Sequence, residues 1–366
     1  MTTLRKVGRL RAILTGVVLF GGVTAVEAAT ITAPIGSEQG SGAAFTFVGA
    51  DDGYVWLMTN YGGTWHWQEL VALNVSFGVG VTSLNGYPSA YAVGTDGNLY
   101  EIYQAGQYWA KVNVGTPPGV ALRTPVGVIS DSNSQPYVFL IGSDGNLWMA
   151  HAVGSWAWTN LFRPSGVTIG APVGAGNAAD YSGHPYPQIF VLGIYGNLWA
   201  SQYDGSSYPW SRVGTPPTGV IAMGLGVFIG SLNGTSFPQV LVEDRSNPPN
   251  LYIASQYPPP GGPWTWQFWT GIQPVAFPVG MTPGAYAVLC FYTTSNSLAR
   301  LNNGTTAPVY TNLAGTSYAA KASAGVTDFG VGPYVFLIAT SGDLEVVYGT
   351  SGNLGNAQAI DLGVPP

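Results

Sequence analysis

The sequence is poor in charge, in sulfur and in long apolar runs. Its single cysteine, Cys290, rules out an intramolecular disulfide, so stability must come from packing and closure. Cys290 lies in the apolar run Tyr286 to Tyr292 and reads as a small buried hydrophobe of a strand. Three histidines, His66, His151 and His184, stand far apart, whereas zinc ligands arrive in close pairs. No Gly-x-Ser-x-Gly, P-loop or calcium-loop pattern occurs, and neither metal nor cofactor is expected. A sustained 3.6-residue apolar period is also missing, which predicts almost no helix.

The one apolar run of any length, Ala12 to Val23, follows a basic head of Arg5, Lys6, Arg9 and Arg11. Small residues come next, at Val26-Glu27-Ala28. That order is a secretory signal peptide, and cleavage is expected after Ala28, leaving a secreted protein, extracellular or periplasmic. The run is shorter than the roughly 20 residues a membrane span needs, so no membrane insertion is expected. Residues 1–28 hold four of 11 basic and one of 17 acidic side chains, so 7 against 16 remain, a net −9. Such a surface does not seek nucleic acid or anionic lipid, both of which need clustered Lys and Arg.

What is abundant is glycine (52), proline (27) and aromatic side chains (13%). One phrase recurs: Asp96-Gly97-Asn98-Leu99-Tyr100, Asp144-Gly145-Asn146-Leu147-Trp148 and Tyr195-Gly196-Asn197-Leu198-Trp199. Weaker copies fall at Val55, Leu251, Leu298 and Leu344, so the aliphatic marker repeats at intervals of 44, 48, 51, 53, 47 and 46. A small-Pro-Val-Gly phrase such as Thr124-Pro125-Val126-Gly127 precedes the marker, and a tryptophan follows in five copies: Trp67, Trp109, Trp158, Trp210 and Trp266. The Asp-Gly step is a strong hairpin signal, because glycine takes positive φ without steric cost.

Each unit therefore reads as four short antiparallel strands, which is the signature of a propeller blade. The expected fold is all-β, a single seven-bladed β-propeller over residues 29–366. Its blades run about 31–73, 74–121, 122–169, 170–221, 222–274, 275–319 and 320–362. Nothing is left over for a second domain.

Acidic residues offer little chemistry. Asp96, Asp144 and Asp343 belong to the repeated hairpin, where Asp accepts local backbone hydrogen bonds. Glu243-Asp244-Arg245, the one dense charge cluster, reads as a solvated loop with a local ion pair. The repeated uncharged groups are more suggestive. Sugars present apolar C–H faces and hydroxyls, which suit an aromatic platform beside an amide. Tyr100, Trp148, Trp199 and Tyr252 occupy one repeated position, next to Asn98, Asn146, Asn197 and Asn250. Trp109, Trp158 and Trp210 occupy another. For any single tryptophan, packing between blades is the favoured reading.

The Asp-Gly-Asn-Leu-Trp phrase followed by a tryptophan resembles the repeats of tectonin and tachylectin propellers, and more closely the seven-bladed fucose-binding bacterial lectins. The resemblance spans the mature chain. It implies shallow sugar sites between neighbouring blades and multivalent attachment to glycans or glycoconjugates, without catalysis. It places candidate sites at the marker aromatics and asparagines of blades two to five. Blades six and seven depart from it, with Ala299 and Glu345 at the aromatic position. A protein-binding or structural propeller is the alternative, and a polysaccharide lyase or glycosidase on the same fold a third. A catalytic site would break the symmetry once; a lectin repeats its polar set.

Overall fold

The computed structural model describes residues 28–40, 42–131, 133–179, 185–204, 206–232, 235–256, 262–269, 275–281, 288–293, 297–302, 309–312, 320–328, 333–349 and 357–366. The expected leader in residues 1–27 and His184 lie outside them, and nothing is described of the Cys290 side chain. The described residues are all strand, turn and link, with no helix.

They form seven four-stranded antiparallel sheets, each from four consecutive strands in simple up-and-down order. The sheets span 31–72, 75–115, 122–162, 169–214, 221–269, 275–312 and 320–363, and are numbered 1 to 7 here. Up-and-down order puts the hairpin between the second and third strands on the same rim as the link into the next sheet. Backbone hydrogen bonds tie the two together: Thr95 N to Asn74 O at 2.8 Å, Ser143 N to Ala121 O at 2.8 Å and Ile194 N to Thr168 O at 3.1 Å.

Every first strand carries the same irregularity. Two residues are skipped in its pairing with the second strand, and the second of them is Ile35, Val79, Val126, Val173, Leu225, Val279 or Ala324. A bulge of this kind bends a strand and strengthens its twist. These seven residues all line one axial cavity of about 570 Å³, whose wall is otherwise glycine, proline, valine, alanine and serine. The seven first strands thus ring a common axis, and the arrangement is a β-propeller. The glycine of the small-Pro-Val-Gly phrase follows the bulge. Gly36, Gly80, Gly127 and Gly174 all sit at φ +152, in the half of the map that favours glycine. A Cβ on Gly36 would stand 3.0 Å from Val81 in the next sheet, so close approach and backbone both ask for a residue with no side chain.

Sheet 7 returns to sheet 1. Ser37 Oγ donates to Ala324 O at 2.9 Å, Trp67 Nε1 to Leu362 O at 3.1 Å, and Ala29 N to Pro365 O at 2.9 Å. Among the described residues, apolar clusters fill six of the wedges between neighbouring sheets, such as Phe47 and Leu57 of sheet 1 with Ala92, Ile102 and Trp109 of sheet 2.

Candidate functional site

On an antiparallel pair, residues directly opposite share a face. The marker aromatics therefore define one face of the sheets that carry them, and their neighbours show that it looks towards the preceding sheet. Tyr100 packs against the cluster that holds Val55 and Leu57 of sheet 1 and Leu73 of the link, and Tyr252 belongs to the cluster that holds Leu198 and Val213 of sheet 4. Each marker ring lies over the glycine before its hairpin and against a branched residue of the incoming link. A Cβ on Gly94 would touch both Tyr100 and Leu73, one on Gly142 both Trp148 and Val120, and one on Gly193 both Trp199 and Val167. Each ring thus stands at the mouth of a wedge, on the hairpin rim.

The hairpin aspartates brace these rings. Asp96 accepts from Tyr100 Oη at 2.7 Å, Asn98 Nδ2 at 2.9 Å and Asn98 N at 3.1 Å. Asp144 accepts from Asn146 Nδ2 at 2.9 Å, Asn146 N at 3.0 Å and Trp148 Nε1 at 3.2 Å. The Tyr100 hydroxyl, with Asn98, holds the Asp96 carboxyl below its ordinary range. Partial burial works against this at Asp144, but the donors of Asn146 and Trp148 outweigh it and the net shift is downward. Both are ionised acceptors at neutral pH, fitted to hold a turn rather than to donate a proton.

Opposite the marker ring, on the fourth strand, stand Asn113, Asn160 and Arg212 in sheets 2, 3 and 4. Asn113 Oδ1 accepts from Gly115 N at 2.8 Å and Asn160 Oδ1 from Phe162 N at 2.7 Å, which leaves the amide nitrogens to donate elsewhere. Asn113 Nδ2 lies 3.5 Å from Tyr100 Oη, and Lys111 Nζ 5.5 Å from the Tyr100 ring centroid. In sheet 4, Arg212 Nη2 donates to Asn197 Oδ1 at 2.9 Å. The three mouths thus combine an aromatic ring, a hairpin asparagine and a donor from the fourth strand.

Sheet 5 differs. Tyr252 is only 2% exposed, with the Phe268 ring 5.2 Å away, so it offers no open face. Asn250 Nδ2 is held by Asp244 at 3.1 Å. Glu243 and Asp244 were expected in a solvated loop with an ion pair, but they are 7% and 2% exposed. The second strand runs on through both. Asp244 accepts from Asn250 N at 2.9 Å and from Thr218 Oγ1 at 2.6 Å, as well as from Ser246, and these donors drive its carboxyl down despite burial. Glu243 accepts from Val275 N of the next sheet at 3.2 Å, and burial raises it.

The tryptophans of the fourth strands form two rows, not one. Trp67, Trp158, Trp210 and Trp266 stand two places along from the marker pair. Trp109 does not join them: it pairs with Gln104, equivalent to Trp65 and Trp156, and Lys111 fills the place instead. In the first row, Trp158 Nε1 donates to Val114 O at 3.3 Å and Trp210 Nε1 to Leu161 O at 3.0 Å, both in the preceding sheet. In the second, Trp109 meets Phe47 edge-on at 5.5 Å and Trp156 meets Tyr91 at 6.0 Å. Trp109, Trp158 and Trp210 are therefore latches within the wedges, below the mouths. Sequence reasoning missed Asn113, Asn160, Arg212 and Lys111; their shared offset from the marker ring was the signal available.

No family model and no curated protein matches the chain. Among solved structures it is similar to the SapL1 lectin, in complex with alpha methyl fucoside, at 14% identity over 93% of this chain and 97% of that one, TM-score 0.48. AofleA from Arthrobotrys oligospora shares 11% identity over 93% and 87%, TM-score 0.49. The fucose-specific lectin from Aleuria aurantia shares 15% over 92% and 96%, TM-score 0.48, and a further structure of that lectin is described as six-bladed, against the seven sheets here.

Proposed function

We propose that the chain is a secreted, non-catalytic carbohydrate-binding protein, a seven-bladed propeller that follows a cleaved leader of residues 1–28. It binds glycans multivalently, in shallow sites at the mouths between blades. The observation that carries this reading is the recurrence on one rim of a ring, a hairpin asparagine and an opposite-strand donor: Tyr100, Asn98 and Asn113; Trp148, Asn146 and Asn160; Trp199, Asn197 and Arg212. A pyranose lays its C–H face on such a ring while the amide and guanidinium groups meet its hydroxyls. Tyr252 and Asn250 are the weakest members of the set, and Trp109, Trp158 and Trp210 contribute by holding the mouths in shape.

One such mouth is a weak site. Several on a rigid ring raise attachment to a glycan surface by about 10²–10⁴ without any new contact. A glycan array tests this. The mature protein is expected to bind one class of sugar, and Tyr100→Ala and Trp148→Ala together are expected to cut retention at least tenfold while the melting temperature stays within a few degrees. A blank array, or unchanged retention in the double variant, would contradict the reading.

A further inference from the structure

The mouth between sheets 3 and 4 departs from its two neighbours in three ways. First, Tyr195, 77% exposed, replaces the hairpin aspartate. In sheets 2 and 3 the hairpin asparagine donates to that aspartate; in sheet 4 Asn197 accepts from Arg212 at 2.9 Å instead. An acid has gone from the mouth and a guanidinium stands there, oriented by an amide rather than paired with a carboxylate.

Second, the fourth strand of sheet 3 ends on Phe162 at φ +59. In three other sheets the equivalent position, opposite Leu99, Leu198 and Leu344, is a glycine at positive φ, Gly115, Gly214 and Gly363, and in sheet 1 it is Val71, which is not at positive φ. A bulky aromatic is the wrong residue for that backbone. Third, Phe162 gains no burial in exchange, being 64% exposed. It directly follows Leu161, whose carbonyl accepts from Trp210 of sheet 4, and Arg212 lies two residues beyond Trp210 on the same face. A strained backbone with an exposed ring on it does nothing for the fold, which points to a ligand.

We infer that this mouth takes a carboxylate-bearing saccharide, with its carboxylate on Arg212 and its C–H face against Phe162. Guanidinium groups bind carboxylates bidentately, and charge-assisted hydrogen bonds are about twice as strong as neutral ones. The inference rests on the sugar-binding reading and names the substrate class of one of its sites.

Titration of the mature protein with methyl β-glucuronide and methyl β-glucoside, which differ only by the carboxylate, tests it. The glucuronide is expected to bind about tenfold tighter, and Arg212→Gln to abolish that preference. Phe162→Gly is expected to weaken glucuronide binding about tenfold and yet raise the melting temperature by about 2 °C, because the strain is relieved. Equal binding of the two glycosides, a preference that survives Arg212→Gln, or a lower melting temperature in Phe162→Gly would overturn the inference. Neutral-glycoside binding that is lost with Tyr100→Ala, without any glucuronide preference, would sink this inference alone. Binding of neither glycoside would sink the sugar-binding reading as well.

Discussion

Gly325→Ala is expected to destabilise the protein by roughly 3 kcal/mol, because the added methyl group meets both a strained backbone and a close neighbour. Gly325 follows the bulge of the last first strand at φ +121, and a Cβ there would stand 2.8 Å from both Ser37 N and Ser37 Oγ, 2.9 Å from Ser37 Cβ. The backbone nitrogen of sheet 1 cannot step aside without opening the contact between the last sheet and the first. Gly127→Ala is the matched control. It sits at φ +152 after the same bulge, but its Cβ would meet nothing closer than Ala175 N at 3.7 Å. That variant is expected to lose only about 1 kcal/mol, from backbone strain alone. Chemical denaturation of both variants separates the cost of φ from the cost of closure. Similar losses in the two would mean that sheet 7 does not bear on sheet 1 in solution.

The second large effect is an inverted dependence of stability on pH. Burial raises Glu345 from 4.5 to about 7, and Asp361 and Asp343 add to the rise. Its side chain is 3% exposed, and Oε2 has no hydrogen-bond partner. Glu38 is also raised to about 7, by burial partly offset by the Gln39 backbone. Between pH 4.5 and 7 the folded state therefore holds protons that the unfolded chain has released. Stability is fully present below about 4.5 and lost as pH rises through 7. The lowered carboxyls act in the other direction: Asp204, held at about 2 by Ser206 and Ser207, together with Asp96 and Asp144, lose their contribution only as pH falls below the ordinary range. The maximum is expected near pH 4–5, with about 2–4 kcal/mol lost by pH 8. That figure takes about 1.4 kcal/mol for each tenfold change in proton affinity on folding, discounted for partial exposure. Melting temperatures from pH 4 to 8 should fall across that range and flatten in Glu345→Gln and Glu38→Gln. A curve that rises towards pH 7 would contradict the burial of these two carboxyls.

Much of this architecture is legible before folding. The Asp-Gly-Asn-Leu-Trp phrase carries its own turn chemistry, so Asp96 and Asp144 could be assigned to hairpins from local rules, and the structure finds them accepting from Asn98 and Asn146. The small-Pro-Val-Gly phrase recurs in the sequence as well, and its glycine is the one that meets the next sheet at the axis, as Gly36 meets Val81. What local rules could not supply was depth. Trp109 and Trp158 fall at similar distances from their markers, yet same-face residues recur every two positions on a strand, and Trp109 lies one rank further from the mouth. Tyr252 looks like Tyr100 in sequence. Phe268 and Trp266 cover it, and that is a tertiary fact. Glu243 and Asp244 read as surface charge because nothing in the chain announces Val275 N and Thr218 as their partners. The positive φ of Phe162 was equally hidden, since the glycines that reveal it become equivalent only once the sheets are aligned.

Sugar binding by this ring depends on the wedge mouths being where the ligand sits. A crystal structure of the mature protein soaked with the glycoside that the array selects measures this directly. Sugar density is expected on the hairpin rim beside Tyr100, Trp148 and Trp199, within hydrogen-bond distance of Asn113, Asn160 or Arg212. Density confined to the axial cavity or to the opposite rim, or none at a concentration that saturates the array, would contradict it.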